Sequence, residues 1–89
     1  MEIQIDPHTL ERAAERGATE SEIIDVIRTG FSIPSKHGRS GKAKVFPYDR
    51  NRGRKFYAQK RIEVIYLYEQ NTIVTVTVYV FYGEWENEK

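Results

Sequence analysis

Three side chains that could act on a phosphate, His8, Arg12 and Arg16, are spaced four residues apart near the start of the chain. On a helix, this spacing places them in one stripe along a single side. Histidine can accept or donate a proton, and arginine can stabilise charge that develops on a phosphate. The stripe would suit acid–base cleavage of a phosphodiester. Alternatively, the two arginines pair with Glu11 and Glu15 and form an ordinary solvated surface.

A second group of reactive side chains lies in the Val- and Tyr-rich later part of the chain. Adjacent Lys60 and Arg61 must point to opposite faces of a strand, so one of them crosses the open face of the sheet. We expect Tyr66 and Tyr79 to share that open face, where a phenol can stack on a base or relay a proton. Ordinary sheet packing of these tyrosines is the alternative. A β-bulge would exchange the faces of Lys60 and Arg61.

Charge is divided along the chain, although the net charge is only +1. Residues 31–61 hold ten Lys and Arg against one Asp, whereas the segments before and after each carry a net charge of −4. A concentrated basic segment attracts polyanions, which favours nucleic acid as a partner. Pairing of these charges with the acidic flanks is the alternative. The predicted nucleic-acid-binding residues are Lys42, Lys44, Arg50, Arg52, Arg54, Lys55 and Lys60.

Several other kinds of site are excluded by composition. The chain has no cysteine, which removes disulfides, Cys zinc sites and thiol nucleophiles. Neither His8 nor His37 has a second histidine at ligand spacing, so we predict no metal and no cofactor. We see no signal-peptide pattern and no apolar run near the roughly 20 residues of a membrane span. We therefore expect a cytoplasmic protein with no membrane contact.

Two helices are predicted in the first thirty residues. Asp6-Pro7 is a typical start and Gly17 a typical end, which gives a first helix of about Pro7–Arg16. A capping box over residues 19–22 begins the second helix, and Gly30 ends it. The residues predicted to face the core are Leu10, Ala13, Ala14, Ile23, Ile24 and Ile27.

Strand patterns dominate the rest of the chain. Residues 43–48 predict a short edge strand because Pro47 cannot donate to a ladder. Residues 55–69 and 72–82 predict an antiparallel hairpin joined at Gln70-Asn71. Residues 35–41 and 49–54 predict basic loops. In the last strand, we expect one face to meet the helices, and its residues are Val74, Val76, Val78 and Val80.

The order of these elements predicts a single α+β domain over residues 1–89. We expect two N-terminal helices packed on one face of a curved three- to four-stranded antiparallel sheet. The ordered core would span residues 6–82, and residues 83–89 would form a frayed tail.

Two segments of the chain resemble a known group of proteins. Residues 7–19 contain the pattern His-x-x-x-Arg-x-x-x-Arg-Gly-Ala-Thr, and residues 74–79 end in Val-Tyr within a Thr- and Val-rich strand. Together they look like a small bacterial family of unknown function. That family is grouped with the barnase/EndoU/colicin/RelE-like fold, which includes the RelE, BrnT and MqsR ribonuclease toxins.

The resemblance implies a RelE/BrnT-like, metal-independent endoribonuclease of the toxin type. His8 would be the general acid or base, Arg12 and Arg61 would hold the scissile phosphate, and Tyr79 would support the base or the proton transfer. An acidic or amphipathic antitoxin protein would cover the basic face. The alternatives are a non-catalytic module that binds nucleic acid or protein, and a dimerisation domain that pairs through residues 72–82. Monomer and homodimer both remain open.

Overall fold

The computed structural model describes residues 1–85, which form two helices and one five-stranded sheet. The helices are α1 (Pro7–Arg16) and α2 (Glu20–Thr29). The strands are β1 (Glu2–Gln4), β2 (Phe31–Ile33), β3 (Ser40–Arg52), β4 (Lys55–Glu69) and β5 (Thr72–Gly83). The α+β class is confirmed. The sheet, in the order β1-β5-β4-β3-β2, is larger than predicted.

The predicted N-terminal caps of both helices are confirmed. Asp6 accepts a hydrogen bond from the backbone N–H of His8 at the start of α1, and Gly17 ends that helix with a φ of 99°. At α2 the Thr19 hydroxyl accepts from the N–H of Glu22, while the Glu22 carboxylate accepts from the N–H of Thr19. These bonds satisfy backbone donors that have no partner inside the helix.

Gly30 ends α2 because of a close approach to the sheet. Its φ is −74°, so it forms no left-handed cap. A Cβ at this position would lie 2.5 Å from the carbonyl oxygens of Val26 and Ala43. Glycine is therefore required to let the end of α2 approach β3.

Two short strands account for the error in the predicted strand number, and one of them, β1, makes the sheet mixed instead of purely antiparallel. β1 pairs in parallel with the start of β5, with Ile3 opposite Ile73. β2 pairs antiparallel with β3, with Phe31 opposite Ala43. Three residues are too few to show the alternation that identifies a strand, so only the pairing in the folded chain defines them.

Strand β3 is longer than the predicted segment 43–48. β2 pairs with it only as far as Ala43, so Pro47 lies where β3 has β4 on one side and, within residues 1–85, no strand on the other. The predicted edge position of this proline is confirmed. The predicted basic turn over residues 49–54 is too long, because β3 continues to Arg52 and the turn comprises Gly53 and Arg54.

The predicted hairpin of β4 and β5 is confirmed, but a β-bulge changes which residues it buries. Gln70 and Asn71 have positive φ angles of 47° and 66°, as a type I′ turn requires. The adjacent β4 residues Ile65 and Tyr66 pair with Thr77 and Thr75, which leaves Val76 as an extra residue in β5. The buried residues of β5 are Ile73, Thr75 and Val78. The prediction of one buried all-valine face is wrong, because the extra residue shifts the alternation.

One cluster of buried side chains joins both helices to the sheet. Its members are Ala13, Ala18, Ile23, Val26, Ile27, Ile62, Val64, Tyr66, Ile73 and Val78. Two predicted core residues, Leu10 and Ile24, are half-buried, and Ala14 is exposed. Val26 is fully buried instead of Ile24 because the side of α2 that meets the sheet is turned by a fraction of a helical turn.

The C-terminal segment is ordered further than predicted. Gly83 belongs to β5, and the backbone N–H of Trp85 donates to the Gln59 side chain at 2.6 Å. The remainder of the predicted frayed tail, residues 86–89, lies outside the described residues.

Candidate nucleic-acid interface

The two faces of β4 carry different chemistry. Ile62, Val64 and Tyr66 belong to the buried cluster, and we call the face that carries them the inner face. Alternation places Lys60 on the inner face and Arg61 on the other. We call that second face the outer face and define it by Arg61, Glu63, Tyr79 and Phe81, of which Arg61 pairs with Phe81 and Glu63 with Tyr79 across the two strands.

A cleft of about 540 Å³ opens between the junction of the two helices and the sheet. Its helical wall is the turn around Gly17, Ala18 and Thr19, together with Leu10, Ala14 and Glu20. Its strand wall is formed by the aromatic and basic residues Tyr48, Arg50, Arg52, Lys60 and Tyr82. Three of the seven predicted nucleic-acid-binding residues therefore meet in this one cleft, and we call it the aromatic cleft.

Cations lie over both tyrosine rings of the aromatic cleft. The Arg50 guanidinium carbon is 4.8 Å from the centre of the Tyr48 ring, and the Arg52 guanidinium carbon is 4.7 Å from the centre of the Tyr82 ring. The two rings meet edge to face with centres 5.1 Å apart. Such contacts add to the energy of simple burial and fix the direction of the guanidinium groups.

Tyr82 connects the aromatic cleft to the end of α1. Its hydroxyl donates to the carbonyl oxygen of Arg16 at 2.6 Å. The Tyr57 ring packs against the Tyr82 ring with 5.6 Å between their centres. Partial burial raises the pKa of the Tyr82 hydroxyl, because the charged phenolate would lose its hydration there. Tyr82 therefore remains a neutral hydrogen-bond donor at neutral pH.

Lys60 forms the floor of the aromatic cleft. The residue is 7% exposed, and its ammonium donates to the Gly17 carbonyl at 2.9 Å and to the Glu22 carboxylate at 3.0 Å. The same ammonium lies 5.9 Å from the centre of the Tyr48 ring. A buried charge needs such partners, so Lys60 joins the helix junction to the sheet as well as adding positive charge to the cleft.

Backbone features explain why the cleft exists. β3 contains a bulge between Pro47 and Arg50, and Asp49 within it adopts a left-handed φ of 50°. Bulges redirect side chains at the edge of a sheet. On the opposite wall, a Cβ on Gly17 would lie 2.1 Å from the Tyr82 hydroxyl. Only glycine lets the helix turn come this close to the ring.

The outer face carries two of the predicted catalytic residues, Arg61 and Tyr79, which pair with Phe81 and Glu63. The Arg61 guanidinium bonds to the Glu63 carboxylate at 2.9 Å and lies 5.2 Å from the centre of the Phe31 ring. The Tyr79 ring stacks on Phe81 at 6.4 Å between centres, and both side chains are more than two-fifths exposed.

Arg16 reaches this surface from α1. It donates to the Val78 carbonyl at 2.5 Å, and its guanidinium lies 5.8 Å from the centre of the Tyr79 ring. Tyr66 belongs to the inner face and is 8% exposed, so the prediction that it shares an open face with Tyr79 is wrong. The regular alternation of β4 sends Tyr66 to the same side as Val64.

His8 and Arg12 lie on α1 and are exposed. The His8 imidazole is 3.8 Å from the Glu11 carboxylate, and its side chain is 88% exposed. Both residues share the helical stripe of Arg16, because they precede it by eight and four positions. His8, Arg12 and Arg16 therefore form a line along α1, and Arg16 at its end contacts Tyr79 of the outer face.

The remaining predicted binding residues are dispersed. Lys42 lines a separate groove with Ile27, Arg28 and Tyr66. Lys44 bonds to the Asp25 carboxylate at 2.8 Å, which lowers the pKa of Asp25. Arg54 and Lys55 are exposed at the turn between β3 and β4, and the Lys55 ammonium lies 5.6 Å from the centre of the Tyr57 ring.

Sequence reasoning did not identify the aromatic residues of the cleft. Tyr48 and Tyr82 were assigned to ordinary strands, although the spacing Tyr48-x-Arg50-x-Arg52 places a ring and two guanidinium groups on alternate positions of β3. That spacing was the available signal. No signal in the sequence indicates the contact between Tyr48 and Tyr82, because this contact depends on the register of β4 against both β3 and β5.

Comparisons with known proteins give no further assignment. Neither helix is long and apolar enough to span a membrane in the part of the chain that the structure describes. No protein-family model, no curated protein and no solved structure matches this chain.

Proposed function

We propose that the protein binds RNA through the aromatic cleft. The observation that carries the proposal is the arrangement of Arg50 and Arg52 over the rings of Tyr48 and Tyr82 in one cleft. A guanidinium that lies over a ring keeps N–H groups at its edge for hydrogen bonds to phosphate oxygens. Rings and guanidinium planes are also the groups on which proteins stack nucleobases.

Charge around the cleft supports a polyanion as the ligand. Residues 31–61 carry ten of the fourteen Lys and Arg of the chain. Lys60 adds a buried ammonium that is paired with Glu22, and Glu20 also lines the cleft, so the positive charge available to a ligand comes from Arg50 and Arg52. Attraction of this kind acts at a distance and is weakened by salt.

The test is binding of a fluorescein-labelled, mixed-sequence RNA measured by anisotropy at several salt concentrations. We expect the Arg50→Ala/Arg52→Ala variant to lose at least tenfold in affinity and to show a shallower salt dependence, because two phosphate contacts are removed. The matched control is Arg28→Ala/Lys42→Ala, which removes the same charge from the separate groove. Equal losses in both variants would show attraction by net charge alone and would overturn the proposal.

A second candidate function is metal-independent cleavage of RNA by the RelE/BrnT-like chemistry that the sequence resemblance implies. The observation that favours it is that Arg16 lies over Tyr79 at the outer face, which also carries Arg61, while His8 lies on the same stripe as Arg16. His8 would exchange the proton, and Arg61 would stabilise charge on the phosphate.

Incubation of RNA with the protein in EDTA tests this second candidate. Products that end in 2′,3′-cyclic phosphate, and that His8→Ala and Arg61→Ala both suppress, would support it. Binding without cleavage would leave a non-catalytic RNA-binding module. A toxin role and an antitoxin partner would follow only from cleavage, and growth arrest on expression of the active chain would be their first test.

A further inference from the structure

We infer that the aromatic cleft accepts one unstacked nucleotide of a single strand, with its base on the guanidinium plane of Arg50. This inference rests on the proposed RNA binding and adds the kind of RNA that is bound. It follows from which surfaces of the cleft are already covered and which remain open.

The ring of Tyr48 has little free surface of its own. The Arg50 guanidinium carbon lies 4.8 Å and the Lys60 ammonium 5.9 Å from the centre of the Tyr48 ring. The Tyr82 ring packs edge to face with the Tyr48 ring, and their centres are 5.1 Å apart. A base that enters the cleft therefore meets the exposed Arg50 group before it meets the ring. Arg50 is supported from behind by the ring, as a stacking platform must be.

Arg50 and Arg52 differ in how they are held. The Nη2 group of Arg52 donates to the Glu15 carbonyl oxygen at 3.2 Å. Arg50 makes no hydrogen bond to any side chain or backbone group of residues 1–85 and is exposed. Arg52 is therefore fixed by the protein, which suits a phosphate contact at one position. The guanidinium of Arg50 keeps all its donors and its outer plane for a ligand.

The shape of the cleft favours a base that has left its stack. Its volume of about 540 Å³ is in the range of small-molecule sites, and its floor is closed by Lys60 and Gly17. A duplex presents phosphates and sugars outward and keeps its bases stacked inside, so its bases cannot reach Arg50. A flexible single strand can turn one base into the cleft.

The experiment compares Arg50→Lys with wild type on a single-stranded RNA and on the same RNA in a duplex. Lysine keeps the charge but has no plane on which a base can stack. We expect wild type to bind the single strand at least tenfold more tightly than the duplex. The variant should bind both nearly equally, with an unchanged salt dependence. The matched control is Arg28→Lys, the same substitution on an exposed residue of α2 in the separate groove, which should keep the preference of wild type.

A second readout reports on the base directly. An RNA with one 2-aminopurine should change fluorescence on binding to wild type, and this change should be absent with Arg50→Lys, because the base no longer stacks. Equal wild-type affinity for single strand and duplex, or an unchanged preference in Arg50→Lys, would overturn the inference and leave RNA binding intact. Absence of any RNA binding would overturn the proposed function itself.

Discussion

The aromatic cleft and the outer face both combine arginine with aromatic rings, but they use the arginines differently. In the cleft, Arg50 and Arg52 are held by rings and by one backbone carbonyl. Glu20 also lines the cleft, but neither arginine forms an ion pair within residues 1–85. On the outer face, Arg61 is bonded to Glu63. Neutral contacts orient a cation and leave its charge for a ligand, whereas an ion pair uses that charge within the protein. The comparison favours the cleft for binding an anion.

Among the substitutions that test this comparison, Lys60→Ala should change the free energy of unfolding most. It leaves the Gly17 carbonyl and the Glu22 carboxylate without their shared donor, and Lys60 itself is 7% exposed. We expect the free energy of unfolding to fall by about 3 kcal/mol, at the lower end for a broken buried pair because Glu22 is partly exposed. Urea denaturation measures the change.

Arg61→Ala is the neighbouring control on the outer face. Its pair with Glu63 is about one-fifth exposed on each side, so we expect a smaller loss of about 1 kcal/mol. A loss as large as that of Lys60→Ala would contradict the difference between the two regions.

Gly17→Ala should have the next largest effect, and the strain that it introduces lies at the aromatic cleft. The residue has a φ of 99°, and its new Cβ would meet the Tyr82 hydroxyl at 2.1 Å. The left-handed backbone and the displaced hydroxyl together should reduce the free energy of unfolding by about 2 kcal/mol. Thermal denaturation measures this loss, and RNA binding by the folded variant should also weaken. The control is Gly53→Ala, because Gly53 also has a positive φ but a Cβ there would meet no atom within 4 Å. This variant should lose only the part of the unfolding free energy that comes from the strained backbone.

Arg16→Ala separates the two regions within a single residue. Its side chain bonds to the Val78 carbonyl and lies over Tyr79, whereas its carbonyl oxygen accepts from Tyr82 in the cleft. The substitution removes only the first two contacts. We expect about 1 kcal/mol lower stability and unchanged affinity for RNA. A tenfold loss of RNA affinity in filter binding would show that the ligand also occupies the outer face.

An effect as small as that of Arg16→Ala is expected for Tyr82→Phe, and it depends on pH. The hydroxyl bonds to Arg16, so its removal should cost about 1 kcal/mol near neutral pH. Because burial raises the pKa of Tyr82 above its ordinary value of 10.0, folding holds a proton that the unfolded chain loses. This stabilisation is complete below about pH 10 and is lost as the pH rises through the folded-state pKa.

The difference in unfolding free energy between wild type and Tyr82→Phe should therefore narrow above pH 10. Denaturation of both proteins at pH 8 and pH 11 measures it. A difference that stays constant would mean that Tyr82 titrates alike in the folded and unfolded chains.

Local signals predicted the helices and the hairpin because each depends on a few neighbouring residues. The capping box of Thr19 and Glu22, and the turn at Gln70 and Asn71, are of this kind. The parallel pairing of β1 and the meeting of Tyr48 with Tyr82 join residues far apart in the chain. No local pattern encodes them, so the cleft was only half predicted: its cations were identified and its rings were not.

The extra residue at Val76 has a consequence for comparing this chain with any other. It interrupts the alternation of inward-facing and outward-facing side chains in β5, so that Thr75 and Val78 both point inward although they are three positions apart. A β5 of the same length without the bulge could not bury both, and its Tyr79 and Phe81 counterparts would turn toward the core. Alignment of β5 by residue type alone, without a gap at the bulge, would then equate outward-facing positions with inward-facing ones.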